Sequence, residues 1–106
     1  MAISTIEIRR AKANHVTITD DSLTIDLNDG RTISVPLAWY PRLLHGLPAE
    51  RQNWRFIGAG EGIHWPDLDE DISVENTVFG QPSGESQRSL KRWLDARLPQ
   101  RGDSRR

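Results

Sequence analysis

The sequence predicts an α+β domain: a small antiparallel sheet beginning with a three-stranded meander, covered by short helices, with an amphipathic helix at the C-terminus. Three observations predict it. Residues 15–37 alternate polar and apolar side chains in three period-2 runs, residues 36–53 are punctuated by prolines that permit only short helical turns, and apolar residues from Leu90 to Leu98 recur at helical spacing. At 106 residues the chain supports one modest core. Residues 1–98 are therefore expected to form a single domain with 83–98 as its last helix, and 99–106 a disordered basic tail with no apolar side chain from Gln100 onward.

The meander comes first. Its runs place Val16, Ile18, Leu23, Ile25, Leu27, Ile33, Val35 and Leu37 on one face, with mostly Thr, Ser and Asp on the other. Asp20-Asp21-Ser22 and Asn28-Asp29-Gly30 supply the turns, the Asp-Gly pair suiting a tight hairpin whose backbone needs positive φ, and Ile6 and Ile8 can extend the sheet. Pro41 opens a turn that runs to His45 and is stopped by Gly46, and Pro48 opens another through Asn53. Residues 53–65 then read as one further strand containing Trp54, Phe56 and Ile57, with a bulge or break at Gly58 to Gly62. Ser73 can cap one helical turn through Phe79, ended by Gly80. In the last helix Ser83 is the expected N-cap, Glu85 suits the positive end of the dipole, Leu90, Trp93, Leu94 and Leu98 form the apolar stripe, and Pro99 stops the run.

Composition removes several function classes. The absence of cysteine excludes disulfides and thiolate zinc sites and fits a cytoplasmic protein. No apolar run approaches the roughly 20 residues of a membrane helix, and the N-terminus lacks a signal peptide's apolar core. The net charge of −1 conceals a strong asymmetry: residues 56–87 hold seven acids and no Lys or Arg, whereas residues 88–106 hold seven bases and two acids. Such a distribution steers charged partners or is satisfied within the fold, and it equally suits a homodimer.

The stretches "LNDGRTISVPLAWYPRLL", "ERQNWRFIGAGEGIHWPDLDEDISVE" and "SLKRWL" together resemble the bacterial domain-of-unknown-function 2442 family, over roughly residues 14–98. The resemblance implies a small α+β domain whose sheet is covered by short helices, and no established enzymatic activity. It also implies a protein partner, because similar proteins are often encoded beside a second small protein in an arrangement resembling toxin and antitoxin pairs. Some relatives carry a helix-turn-helix domain, for which this chain has no room after residue 82, so autonomous DNA binding is not expected.

The residues with chemical potential cluster at "GIHWPDLDEDIS". Aligned as a calcium loop from Asp67, the stretch puts Ile72 where the sharp turn needs Gly and Val78 where a bidentate Glu belongs, so that reading fails. His15, His45 and His64 lie in separate segments, leaving His64, Asp67, Asp69 and Asp71 as the alternative centre of a small metal-dependent enzyme. "GAGEG" lacks the spacing and lysine of a phosphate loop, and no G-x-S-x-G elbow is present. With no catalytic motif, no cofactor and no metal ligand set recognised, the expectation is a non-enzymatic protein-binding or regulatory module, antitoxin-like in kind. Its candidate contact residues are Trp39, Tyr40 and Arg42 at one corner, aromatic and arginine anchors by type, and His64, Trp65, Asp67, Asp69, Glu70 and Asp71 in the acidic stretch. Within that stretch Trp65 is expected to pack inside. Arg88, Lys91, Arg92 and Arg97 on the last helix are the candidates for nucleic-acid phosphates under the alternative DNA-binding reading.

Overall fold

The computed structural model describes residues 11–102. The expected strand extension at Ile6 and Ile8, and residues 103–106 of the expected tail, lie outside the described residues. The predicted meander is present as β1 (Ala13–Ile18), β2 (Ser22–Leu27) and β3 (Thr32–Pro36), antiparallel in the order β1-β2-β3. Its turns follow from local polar chemistry. The Thr19 hydroxyl accepts the Asp21 and Ser22 N–H groups at 3.3 and 3.1 Å, and Gly30 takes φ 95° where the Leu27 and Arg31 backbones close the second hairpin. Alternation sends Val16, Ile18, Leu23, Ile25, Leu27 and Val35 into the core, while Ile33, on an edge strand, is half-buried. On the opposite face Thr24 pairs with Ser34, and Thr32 donates to Asp26.

Residues 53–73 depart from the expectation. In place of one broken strand and an acidic turn they form a second antiparallel sheet, β4 (Arg55–Ile57), β5 (Gly62–Trp65) and β6 (Glu70–Ser73), in sequential order. The glycine string is the β4–β5 hairpin turn, with Gly58 at φ 63° and Gly60 at φ 100°. Gly60 also lies hard against the first sheet: its carbonyl accepts the Ala13 N–H at 2.9 Å, and a Cβ there would stand 2.5 Å from the Ala13 oxygen. The two sheets thus meet around one core that includes Ile63, Trp65, Leu68, Ile72 and Val74.

Short helical pieces close the core as expected. Leu37–Trp39 is a 3-10 turn, followed by α1 (Pro41–Leu44), α2 (Pro48–Gln52) and α3 (Val74–Val78), the last capped by Ser73, which accepts the Asn76 N–H at 3.2 Å. Arg51 of α2 donates to the Leu43 and Leu44 carbonyls at 2.8 and 2.7 Å, satisfying the end of α1. The last helix, α4 (Gln87–Gly102), begins and ends later than Ser83 and Pro99 predict. Ser86 takes the capping role, accepting the Ser89 N–H at 3.0 Å, whereas the Ser83 hydroxyl accepts the Glu85 N–H at 3.1 Å in the preceding turn. Pro99 removes one N–H near the helix end, where the carbonyl it leaves, on exposed Asp95, is close to water, so the helix continues. None of the described α4 side chains, residues 87–97, is fully buried.

Candidate functional site

The β5–β6 hairpin builds an acidic edge on an apolar anchor. Trp65 and Leu68 are fully buried, Trp65 donating its indole N–H to the Arg51 carbonyl at 2.9 Å. Asp69 adopts φ 51°, a left-handed conformation that Asp tolerates, and turns the chain into β6. With Leu68 pinned inside, Asp67 and Asp69 on either side face outward: Asp67 accepts from the Asn53 amide at 2.9 Å, and the Asp69 side chain is 90% exposed. One position beyond β6's start, Asp71 pairs with His64 across the two strands, also on the outer side.

Glu70 points the other way. Its carboxyl is half-buried and accepts no hydrogen bond among the described residues. Burial pushes its pKa up to about 7, with Arg42 opposing the rise and the charges of Glu85, Asp71 and Asp69 adding to it.

Arg42 of α1 organises the adjoining surface. Its Nε and Nη2 grip the Glu85 carboxylate at 2.9 and 2.7 Å, and its Nη1 donates to the Asp69 carbonyl at 3.1 Å. The guanidinium holds Glu85 below the usual carboxylate range, and Glu85 in turn accepts from the Ser89 hydroxyl at 2.7 Å. The guanidinium carbons of Arg42 and Arg97 lie 5.1 and 4.6 Å from the centre of the Trp93 ring, and Arg97 reaches Glu50 at 2.8 Å. Cation–π contacts and ion pairs thereby hold α4 against α1 and α2.

These placements sort the candidate residues. Tyr40 is 3% exposed, its hydroxyl bonded to Thr77 at 2.9 Å, and Trp65 is 0% exposed, so neither is available to a partner. Trp39 packs half-buried on the core, and Arg42 is engaged by Glu85. Arg97 is likewise engaged by Glu50 and Trp93 and is withdrawn from the basic face, leaving Arg88, Lys91 and Arg92 exposed. His64, Asp67, Asp69 and Asp71 do not converge: His64 takes Asp71, Asp67 takes Asn53 and Asp69 leans toward Arg42, and among the described residues no three such side chains are grouped as metal ligands. No helix among them is long and apolar enough to cross a membrane.

Sequence reasoning missed Leu44 and Leu47, which are 39% and 45% exposed. They flank Gly46 in sequence, and the Cβ position of Gly46 is 3.0 Å from the methyls of Leu68, the residue between Asp67 and Asp69. For Leu44 the signal was there to find. With Leu43 fixed inward, Leu44 lies 100° further round the helix and off the buried stripe, whereas Leu47 stands outside that helix and carries no such signal.

The match that places this architecture is to the family model described as "Protein of unknown function (DUF2442)", over residues 13–82. The chain belongs to the DUF2442 family. A crystal structure of a protein of unknown function from Rhodospirillum rubrum ATCC 11170 has the same fold, with a TM-score of 0.62 at 20% identity, covering 76% of this chain and 98% of that one. Among curated proteins nothing matches. The DUF2442 match spans both sheets, the acidic hairpin and Arg42, and stops before Glu85, Trp93 and Arg97, the residues through which α4 is attached.

Proposed function

We propose that this DUF2442 chain is a non-enzymatic protein-binding module of regulatory type, the antitoxin-like half of a two-protein system, and that it meets its partner through the acidic hairpin. The observation that carries the reading is the exposure of Asp67, Asp69 and Asp71 along one hairpin whose buried Leu68 lies 3.0 Å from the Cβ position of Gly46, the glycine between exposed Leu44 and Leu47 in sequence. Apolar side chains supply burial, and surrounding carboxylates select a basic surface and speed encounter. Co-expression with the small protein encoded beside it, followed by tagged capture at low and moderate salt, tests the reading. A stoichiometric complex that is lost in an Asp67→Lys/Asp69→Lys variant is expected; capture of nothing at either salt counts against it.

The exposure of Arg88, Lys91 and Arg92 favours a second reading, nucleic-acid binding through α4. It predicts salt-sensitive binding lost on deletion of residues 83–106, and binding retained after that deletion would remove it.

A further inference from the structure

The outer face of the second sheet carries a groove that adjoins the acidic edge. Register sets its shape: Ile57, Gly62 and Ser73 stand opposite one another across β4, β5 and β6, and Arg55, His64 and Asp71 form the next row on the same face. The middle member of the first row is a glycine, so no side chain fills the space there. Ile57 leans over it, its Cδ1 3.3 Å from where a Gly62 Cβ would stand. An open, mostly apolar groove of about 330 Å³ results, and Glu61, Asp71 and Asn76 also line it. We infer that this groove receives a lysine side chain of the protein partner, its methylene stem against Ile57 and its ammonium at Asp71. The source of the lysine rests on the partner reading; the groove itself can be tested on the free chain.

An apolar wall ending at a carboxylate complements a side chain that is apolar along its stem and cationic at its tip. Ile57 is 41% exposed, so the stem would cover apolar surface that water now touches. Neither carboxylate of the groove offers both oxygens. Asp71, its side chain 65% exposed, gives Oδ1 to His64, and its Oδ2 has no partner among the described residues. Glu61 accepts the Ala59 N–H through Oε1 at 2.8 Å, and its Oε2 lies 3.7 Å from the Lys12 ammonium. A guanidinium fork is best met by two oxygens of one carboxylate, whereas an ammonium is a point charge that a single oxygen serves, which favours lysine over arginine. The chain's own cations leave the place open. Lys12 is held at Glu61, three residues and roughly 10 Å along β5 from His64, and His64 stands between Arg55 and Asp71 in their row. Residues 56–87, which include β5, β6 and α3, contain no Lys or Arg. The positive end of the short α3, capped by Ser73, is offset by Glu75 in its first turn.

Titration of the isotope-labelled chain with acetyl-Gly-Lys-Gly-amide at low salt, followed by amide chemical shifts, tests the inference. Saturable shifts concentrated at Ile57, Gly62, Asp71 and Asn76 are expected, with half-saturation at about 1–10 mM. The same peptide with norleucine or arginine in place of lysine should bind at least about threefold more weakly, as should the lysine peptide to Asp71→Asn and to Ile57→Ser, while Asp29→Asn binds it unchanged. Both groove variants alter exposed side chains, and if one fails to fold the other decides. No saturable shift at those amides, an equally tight norleucine or arginine peptide, or undiminished binding in a folded groove variant overturns the inference. Lysine-peptide binding without capture of the neighbouring protein would remove the partner reading and keep the groove; capture without peptide binding would do the reverse.

Discussion

Replacing Arg42 by Ala removes the brace on which α4 depends, and the structure sets the size of the effect. The Arg42 and Glu85 side chains are only 15% and 9% exposed. Breaking a pair buried this deeply would cost roughly 3–5 kcal/mol if the orphaned carboxylate stayed in place. It need not stay, because none of the described α4 side chains is fully buried, Trp93 packing only partly buried on the core, so the helix can lift away and return Glu85 to water. The loss is then limited to what the seat supplies: roughly 1.5–2 kcal/mol for a charge-assisted bidentate pair and about 0.5–1 kcal/mol for the contact with Trp93. Hydrogen exchange resolves the two cases. Amides of residues 87–97 are expected to lose most of their protection in Arg42→Ala, while β2 amides decline by no more than about 2–3 kcal/mol of opening free energy. Arg42→Lys keeps the charge without the planar fork and falls between. Helix amides as protected as in the wild type, or helix and β2 amides failing together, would refute the reasoning, since the second result makes α4 part of the cooperative core.

Further predictions follow from single residues. Glu70 has a folded-state pKa of about 7 against 4.5 for an ordinary Glu, so the folded chain binds more protons between those values and stability falls as pH rises from about 4.5 to about 7. Full expression of that difference is roughly 3 kcal/mol, and screening by the water reaching this half-buried group leaves roughly 1–2 kcal/mol; denaturation of Glu70→Gln should show that gain at about pH 8 and none near pH 4. Gly30 and Gly60 both sit at positive φ, but only Gly60 faces backbone at 2.5 Å. Gly30→Ala should cost about 1 kcal/mol and Gly60→Ala clearly more, read as thermal shifts of about 4–8 °C per kcal/mol; equal shifts would deny the close approach of the two sheets. Tyr40→Phe should cost about 1 kcal/mol in urea, because Thr77 keeps its bond to the Ser73 carbonyl at 3.1 Å. A neutral result would mean that the Tyr40 hydroxyl is worth no more in the fold than in water.

The meander was legible because its strands are long enough to show period 2 and its turns carry Asp, Asn and Gly at the required places. The short helices were legible for the same kind of reason, through Pro41, Pro48 and the Ser73 cap. The second sheet was not: β4 has three residues and β6 only one buried apolar side chain, Ile72, too little alternation for a local pattern to register. The acidic stretch was seen but its two faces were not, because only pairing with β5 fixes that Asp71 points out toward His64 while Glu70 turns in. Arg42 looked like an interface anchor since Arg beside aromatics is typical of interfaces, and what makes it internal is Glu85, 43 residues away along the chain. Such a pairing leaves no trace in local sequence.

The proposal that the acidic hairpin is a protein-binding surface is tested most directly by titration calorimetry of the chain against any small protein encoded beside it. The account predicts binding that weakens with salt and loses about tenfold or more, roughly 1.4 kcal/mol, in Asp67→Asn/Asp69→Asn and again in Leu47→Ala, with Asp29→Asn on the far hairpin unchanged. Binding that is indifferent to the two hairpin aspartate substitutions and to Leu47→Ala, or absent at low salt, would contradict it.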